Sequence, residues 1–253
     1  MSPVRRVARL CRAAWRRLRF RLWAARLDLQ LRRSGGRLRL DAPHGAWLVR
    51  APTIRALPLG GDKGVFELSV GRDVRIGAGL VLDLWAGGEN RLVLGDGVGI
   101  YDGVRIELRS GTIELGRKAT VRDLTLLKSY GALGIGELAI ISRGVVIQCQ
   151  ERIELGARSA LGEWVSLIDS DHSPDGSDVH FIEQPLRAEP VVLGSNVLVA
   201  RGAVVLRGAR LGRNSVVGAN SVVLAGDYPP GRVLAGVPAS VAKRLPKAPS
   251  EEA

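Results

Sequence analysis

His172 is the side chain of this chain best placed to do chemistry. It lies in the segment DSDHSPDGSDVHFIEQPLRAEP, residues 169–190, which is polar, holds three prolines and carries no hydrophobic period. An imidazole with an ordinary pKa of about 6.5 can take a proton from a hydroxyl near neutral pH when its neutral nitrogen faces that hydroxyl. Asp169, Asp171, Asp175 and Glu183 stand close enough in the chain to orient the other ring nitrogen. Asp171 and Glu183 are the two grouped with His172 as catalytic candidates, and the choice among the four carboxylates stays open. His180, in the same segment, either touches an acceptor or caps the loop, and His44 has no role assigned. The regular part of the chain contributes no histidine, so no metal site is expected.

A reactive loop needs a stiff support, and the flanking sequence supplies one. Leu193, Val199, Val205, Leu211, Val217 and Val223 fall on one six-residue register, with Val197, Ala203, Ala209, Ser215 and Ser221 four residues after the first five. That period is the signature of a parallel β-helix: a flat strand and a turn per step, and three steps per triangular coil. Upstream triplets at Leu155/Leu161/Leu167, Ile135/Ile141/Ile147, Leu115/Val121/Leu127, Leu94/Ile100/Ile106 and Val70/Ile76/Leu82 extend it. The expected fold is therefore all-β, a β-helix of about seven coils whose stability sums over stacked neighbours. The 38-residue step from Leu155 to Leu193 holds one coil plus about 20 residues that leave the stack, and such excursions are usually functional. Asp171 is read into the small-residue slot four after Leu167, which sets His172 at a corner.

Composition agrees with a thin aliphatic prism. Glycine is abundant at 32 residues, and two distant cysteines, Cys11 and Cys149, suggest neither a disulfide nor a metal pair. A reducing, cytoplasmic location follows, with peripheral contact to the inner face of the plasma membrane considered beside it. The net charge of +12 is uneven: residues 1–41 hold 13 arginines against Asp28 and Asp41, while the remainder is nearly neutral. Val4, Val7, Cys11, Trp15, Leu18, Leu22, Ala25 and Leu29 recur at helical spacing among those arginines. An amphipathic helix over residues 4–33 fits an anionic membrane surface. Packing of its stripe on the β-helix or on another subunit is the alternative, and nucleic acid is disfavoured. Arginines interrupt every apolar run, which excludes a transmembrane span or a signal-peptide core.

From Ser170 to Ala239 the chain resembles the hexapeptide-repeat acyltransferases, and among them the polysaccharide O-acetyltransferases. The residues that carry the likeness are Asp171-His172-Ser173, Gln184-Pro185, Pro190-Val191-Val192-Leu193-Gly194, the repeats, Asp227-Tyr228-Pro229 and Ala235-Gly236-Val237-Pro238-Ala239. The resemblance implies a left-handed β-helix and a homotrimer with clefts between neighbouring copies. It also implies acetyl-CoA as donor and His172 as general base. It places Ala200, Arg201, Gly218 and Ala219 along the donor, with a main-chain N–H near Arg201 serving the oxyanion. Leu198 stands where the family commonly has tryptophan, and one extra residue falls within Val222 to Gly226.

The expected organisation is a basic arm (1–41), an irregular lead-in or extra coil (42–66), a β-helix (67–226) bearing the loop 169–190, and a tail (227–253) with a short helix near 238–245. The expected activity is acetyl-CoA-dependent O-acetylation of a sugar hydroxyl on a cell-envelope or exopolysaccharide precursor, a glycan or lipid-linked sugar. N-acylation of an amino sugar or amine, and a catalytically silent trimeric scaffold, are the competing readings.

Overall fold

In a computed structural model of the chain, residues 3–57 and 64–246 are described. The side chains of Val4, Val7 and Cys11, and the tail after Pro246, lie outside that description. From Arg37 onward the chain winds into a left-handed β-helix whose strands stack in parallel into three sheets of nine, ten and eight strands. We call these sheets one, two and three in that order. Eight coils result, one more than the triplets suggested, because Arg37–Asp41, Trp47–Leu48 and Thr53–Leu57 form a first coil before the clear repeat begins. Coil six is Arg152–Leu155, Ala160–Leu161 and Ser166–Ile168, and coil seven is Val191–Leu193, Leu198–Val199 and Val204–Val205. Coil eight is Ala209–Leu211, Val216–Val217 and Val222–Val223.

The six-residue register is the reason for this shape. Ile106, Ile147, Leu167, Val199, Val205 and Val217 all point inward and are fully buried, each stacked on its counterpart one coil away. Turning after so short a strand demands a left-handed residue. At the corner between sheets two and three, Gly103, Leu124, Gly144, Trp164, Gly202 and Asn220 hold φ between 55° and 69°.

The outer faces differ. Sheet one shows Glu114, Gly134, Glu154, Val192, Arg210 and Asp227 along one outward ladder. Sheet three shows Leu126, Val146, Ser166, Val204 and Val222 along its own. Solvated sheet faces carry the first pattern, and faces that meet another apolar surface carry the second.

The N-terminal helix, Pro3–Arg33, touches the first strand of every sheet and so lies across the open end of the prism. Phe20, Trp23, Ala24, Leu27 and Leu31 are its buried stripe, continuous with the aliphatic core. The Trp23 indole N–H donates to the Pro52 carbonyl at 3.3 Å. The stripe read from the sequence is the other one: Trp15, Leu18, Leu22 and Leu29 are exposed by 61, 47, 63 and 50%. At 100° per residue the two stripes lie on opposite sides of the helix, with arginines between them.

The C-terminal helix expected near 238–245 is not there. Arg232–Gly236 joins sheet two and Ala239–Arg244 folds back on it antiparallel, with Gly236 at φ 107° in the turn. An exposed sheet edge offers unpaired N–H and C=O groups, and a returning strand satisfies them where a helix would not.

Candidate active site

Residues 169–190 leave the prism at the corner between sheets three and one. Ser170–His172 pairs antiparallel with Leu186–Ala188, placing Asp171 opposite Arg187 and His172 opposite Leu186. Successive residues of a strand point to opposite faces, so Asp171 and His172 look away from each other.

Asp169 makes the root of the loop. It continues the ladder position of Ser129 and Cys149 and is completely buried. Its carboxylate accepts the main-chain N–H groups of Gln150, Glu151 and Arg152 at 2.6, 2.8 and 2.8 Å. Asp169, rather than Asp171, therefore holds the corner, because only a carboxylate buried against the preceding coil can satisfy three N–H groups at once. The adjacent Cys149 thiol is pushed up to about 12, chiefly by burial and then by the charge of Asp169. It stays protonated and unreactive.

Asp171 is committed elsewhere. Its carboxylate meets the Arg207 guanidinium at 2.8 Å, and Arg207 also holds Glu189, so the two ends of the excursion are tied through one arginine. Glu183 lies in a single 3₁₀ turn, Phe181–Glu183, and is exposed. Among the described residues, neither carboxylate makes a side-chain hydrogen bond to His172. The imidazole is exposed instead and meets Phe181 edge-on, with centroids 5.8 Å apart.

The rest of the loop is self-contained. His180 caps the 3₁₀ turn, its Nδ1 accepting the Ile182 N–H at 3.3 Å, and its ring stacks on Phe181 at 4.9 Å. Gln184, nearly buried, accepts the Asp175 N–H at 2.9 Å and donates to the Val179 carbonyl at 2.7 Å. Hydrogen bonds from the Ser177 side chain and N–H hold the Asp175 carboxyl below its ordinary range. Arg207 and Phe181 carried no signal in the sequence: an arginine in a coil and an aromatic in a polar loop become informative only once the chain has folded back.

Ala200 and Arg201 follow the coil-seven strand of sheet two, and Gly218 and Ala219 occupy the same corner one coil later. The Ala200 and Gly218 N–H groups are used in the ladder, at 2.9 and 2.8 Å. The Arg201 N–H meets no acceptor among the described residues. A Cβ on Gly162, one coil before, would lie 2.7 Å from that nitrogen, so the bare glycine is what lets the Arg201 backbone approach. His172 leaves one edge of sheet three and these four residues line the other edge. A single chain therefore does not bring the two sets together.

Residues 190–225 match the family model described as bacterial transferase hexapeptide (six repeats). No curated protein matches the chain. Among solved structures, a hexapeptide-repeat acetyltransferase of Vibrio cholerae complexed with acetyl coenzyme A is 20% identical, covering 70% of this chain and 71% of that one at a TM-score of 0.43. A maltose O-acetyltransferase of Clostridium difficile is 20% identical over 70% of each chain, at 0.42. AntD, an N-acyltransferase of Bacillus cereus, is 13% identical over 68% of this chain and 83% of that one, at 0.38. At such TM-scores these likenesses do not bear on the chemistry.

Proposed function

We propose that this protein transfers an acetyl group from acetyl-CoA to a sugar hydroxyl of a cell-envelope or exopolysaccharide precursor. The observation that carries the reading is an exposed imidazole on a tethered hairpin, immediately before the segment that matches the transferase repeat. His172 accepts the hydroxyl proton as the oxygen attacks the thioester carbonyl. The C–S bond then breaks, and the proton passes to the departing CoA thiolate. The Arg201 N–H faces the oxyanion, and Ala200, Gly218 and Ala219 flank the pantetheine arm. Neither Asp171 nor Glu183 serves as the orienting carboxylate in this proposal, since Asp171 is held by Arg207 and Glu183 is unengaged with the ring.

A homotrimer fits the same geometry. The two halves of the site lie on opposite edges of sheet three, so a neighbouring copy has to supply one of them, and the apolar outward ladder of that sheet suits a subunit contact. Assays of acetyl-CoA against hydroxyl and amine sugars, with sedimentation of the same sample, test both points. Turnover on amines alone would replace the O-acetyl reading with N-acylation, and a fully active monomer would remove the shared site.

The outward stripe of the helix, with its flanking arginines, suits an anionic leaflet at the cytoplasmic face, where acetyl-CoA is available. No helix among the described residues is long and apolar enough to span a membrane. Deleting the helix would also strip the buried stripe from the core, so the informative variant is Leu18→Glu with Leu22→Glu. Loss of binding to phosphatidylglycerol vesicles without loss of folding is expected, and unchanged binding would end the membrane reading.

A further inference from the structure

One corner of the prism carries more than the donor chemistry needs. Between sheets two and three lies a cavity of about 520 Å³, lined by Arg122, Asp123, Arg143, Glu163, Trp164 and Arg201 among others. Arg122, Arg143 and Arg201 stand at this corner in coils four, five and seven, with Glu163 at the coil-six level; none of the three arginines forms an ion pair among the described residues, and Arg122 lies 5.0 Å over the Tyr101 ring. Trp164 is 51% exposed. Its backbone sits at φ 63°, a conformation that costs a bulky side chain roughly 1–2 kcal/mol. Gly144 and Gly202 fill the equivalent position in the coils on either side. A Cβ on Gly144 would fall 2.4 Å from the indole ring, so the ring lies flat against a bare backbone and turns its other face outward.

We infer that this corner is the acceptor subsite, and that it selects an acidic saccharide. The inference rests on the acyl-transfer reading above and deepens it. A flat indole offers a stacking surface to the apolar face of a sugar ring. Glu163 and Asp123 supply acceptors for sugar hydroxyls. Arg122 and Arg143 match the planar geometry of a carboxylate or a phosphate. The position fits too: Trp164 belongs to coil six and its ring lies over Gly144 of coil five, so a sugar stacked there sits one to two coils, about 5–10 Å, along the stack from Arg201 and shares one cavity with it.

The test uses the full-length protein on an array of uronate-, sialate- and phosphate-bearing oligosaccharides beside neutral ones, followed by acetyl-transfer kinetics on the glycans retained. Retention of acidic glycans at least about 10-fold above neutral ones is expected, as is loss of that preference in Arg122→Gln with Arg143→Gln. Trp164→Gly, which suits the left-handed backbone, should keep or raise Tm while increasing acceptor KM about 10-fold and leaving acetyl-CoA KM unchanged. Equal retention of neutral glycans, no glycan retained at all, or an unchanged acceptor KM in Trp164→Gly would overturn the inference. Retention of acidic glycans without any acetyl transfer would instead overturn the catalytic reading and leave the binding site standing.

Discussion

The prism and the hairpin that leaves it are held together by different forces. In the prism, aliphatics such as Ile106, Ile147 and Val205 are fully buried, and each stacks on its equivalent in the next coil. The hairpin buries almost no apolar side chain; Val179, Phe181, Ile182 and Leu186 are 51, 56, 63 and 45% exposed. Its shape comes from a few polar ties: Asp169 at the root, Arg207 across the base and Gln184 inside the loop. Stability thus resides in the stack and reactivity in the loop, so the two should respond to different substitutions.

The largest effect is expected from Ile147→Asp, which places an unpaired carboxylate in the narrow core and should cost more than about 4 kcal/mol. Chemical denaturation would show it; a folded, active variant would mean that the stack tolerates local openings. Asp169→Ala leaves three partly buried N–H groups without their acceptor and should cost about 3 kcal/mol, lowering stability and turnover together. A loss of activity alone would move Asp169 out of the scaffold and into the site.

His172→Ala should separate the two regions most cleanly, with turnover down at least about 100-fold and the denaturation midpoint unmoved. Retained turnover would remove the general-base assignment. Arg207→Gln frees the base of the hairpin, so turnover should fall about 10-fold through misplacement of the imidazole. Its partly exposed ion pairs should contribute less than about 1 kcal/mol to folding, which differential scanning can check.

The smallest effect concerns pH. The Cys149 thiol is raised in the folded state to about 12, so above its ordinary range the unfolded chain loses a proton that the folded chain keeps. Stability from this residue is complete below the ordinary thiol range and is lost as pH rises toward 12. Cys149→Ala should flatten that decline, and an identical slope in both proteins would assign it to other groups.

Much of this fold was legible because the β-helix core is one-dimensional: a residue's inward direction repeats every six positions, and a coil contacts only its neighbours. The loop announced itself as the one long break in that register. Some errors came from features without a period. Counting sixes puts Asp171 in the small-residue slot, but it pairs in the hairpin instead, and Asp169, two residues earlier, is the carboxylate that finds three N–H groups. The tail, expected as a short helix capping the open end of the prism, is a strand because an open sheet edge takes it.

The helix shows the same division. Arginine-rich helical spacing was visible in the sequence, but the helix has two apolar stripes, and spacing alone does not say which one meets the core. Docking across three strands of the first coil decided it, burying Phe20, Trp23, Leu27 and Leu31 and leaving Trp15, Leu18 and Leu22 outside. The sequence by itself determined the repeat, the position of the excursion and the presence of His172 within it, since all three follow from local order along the chain. Tertiary structure alone decided that Arg207 claims Asp171, that Trp164 lies on Gly144, and that His172 and Arg201 stand on opposite edges of one sheet. Those are contacts between residues brought together only when the chain closes on itself, and no spacing in the sequence encodes them.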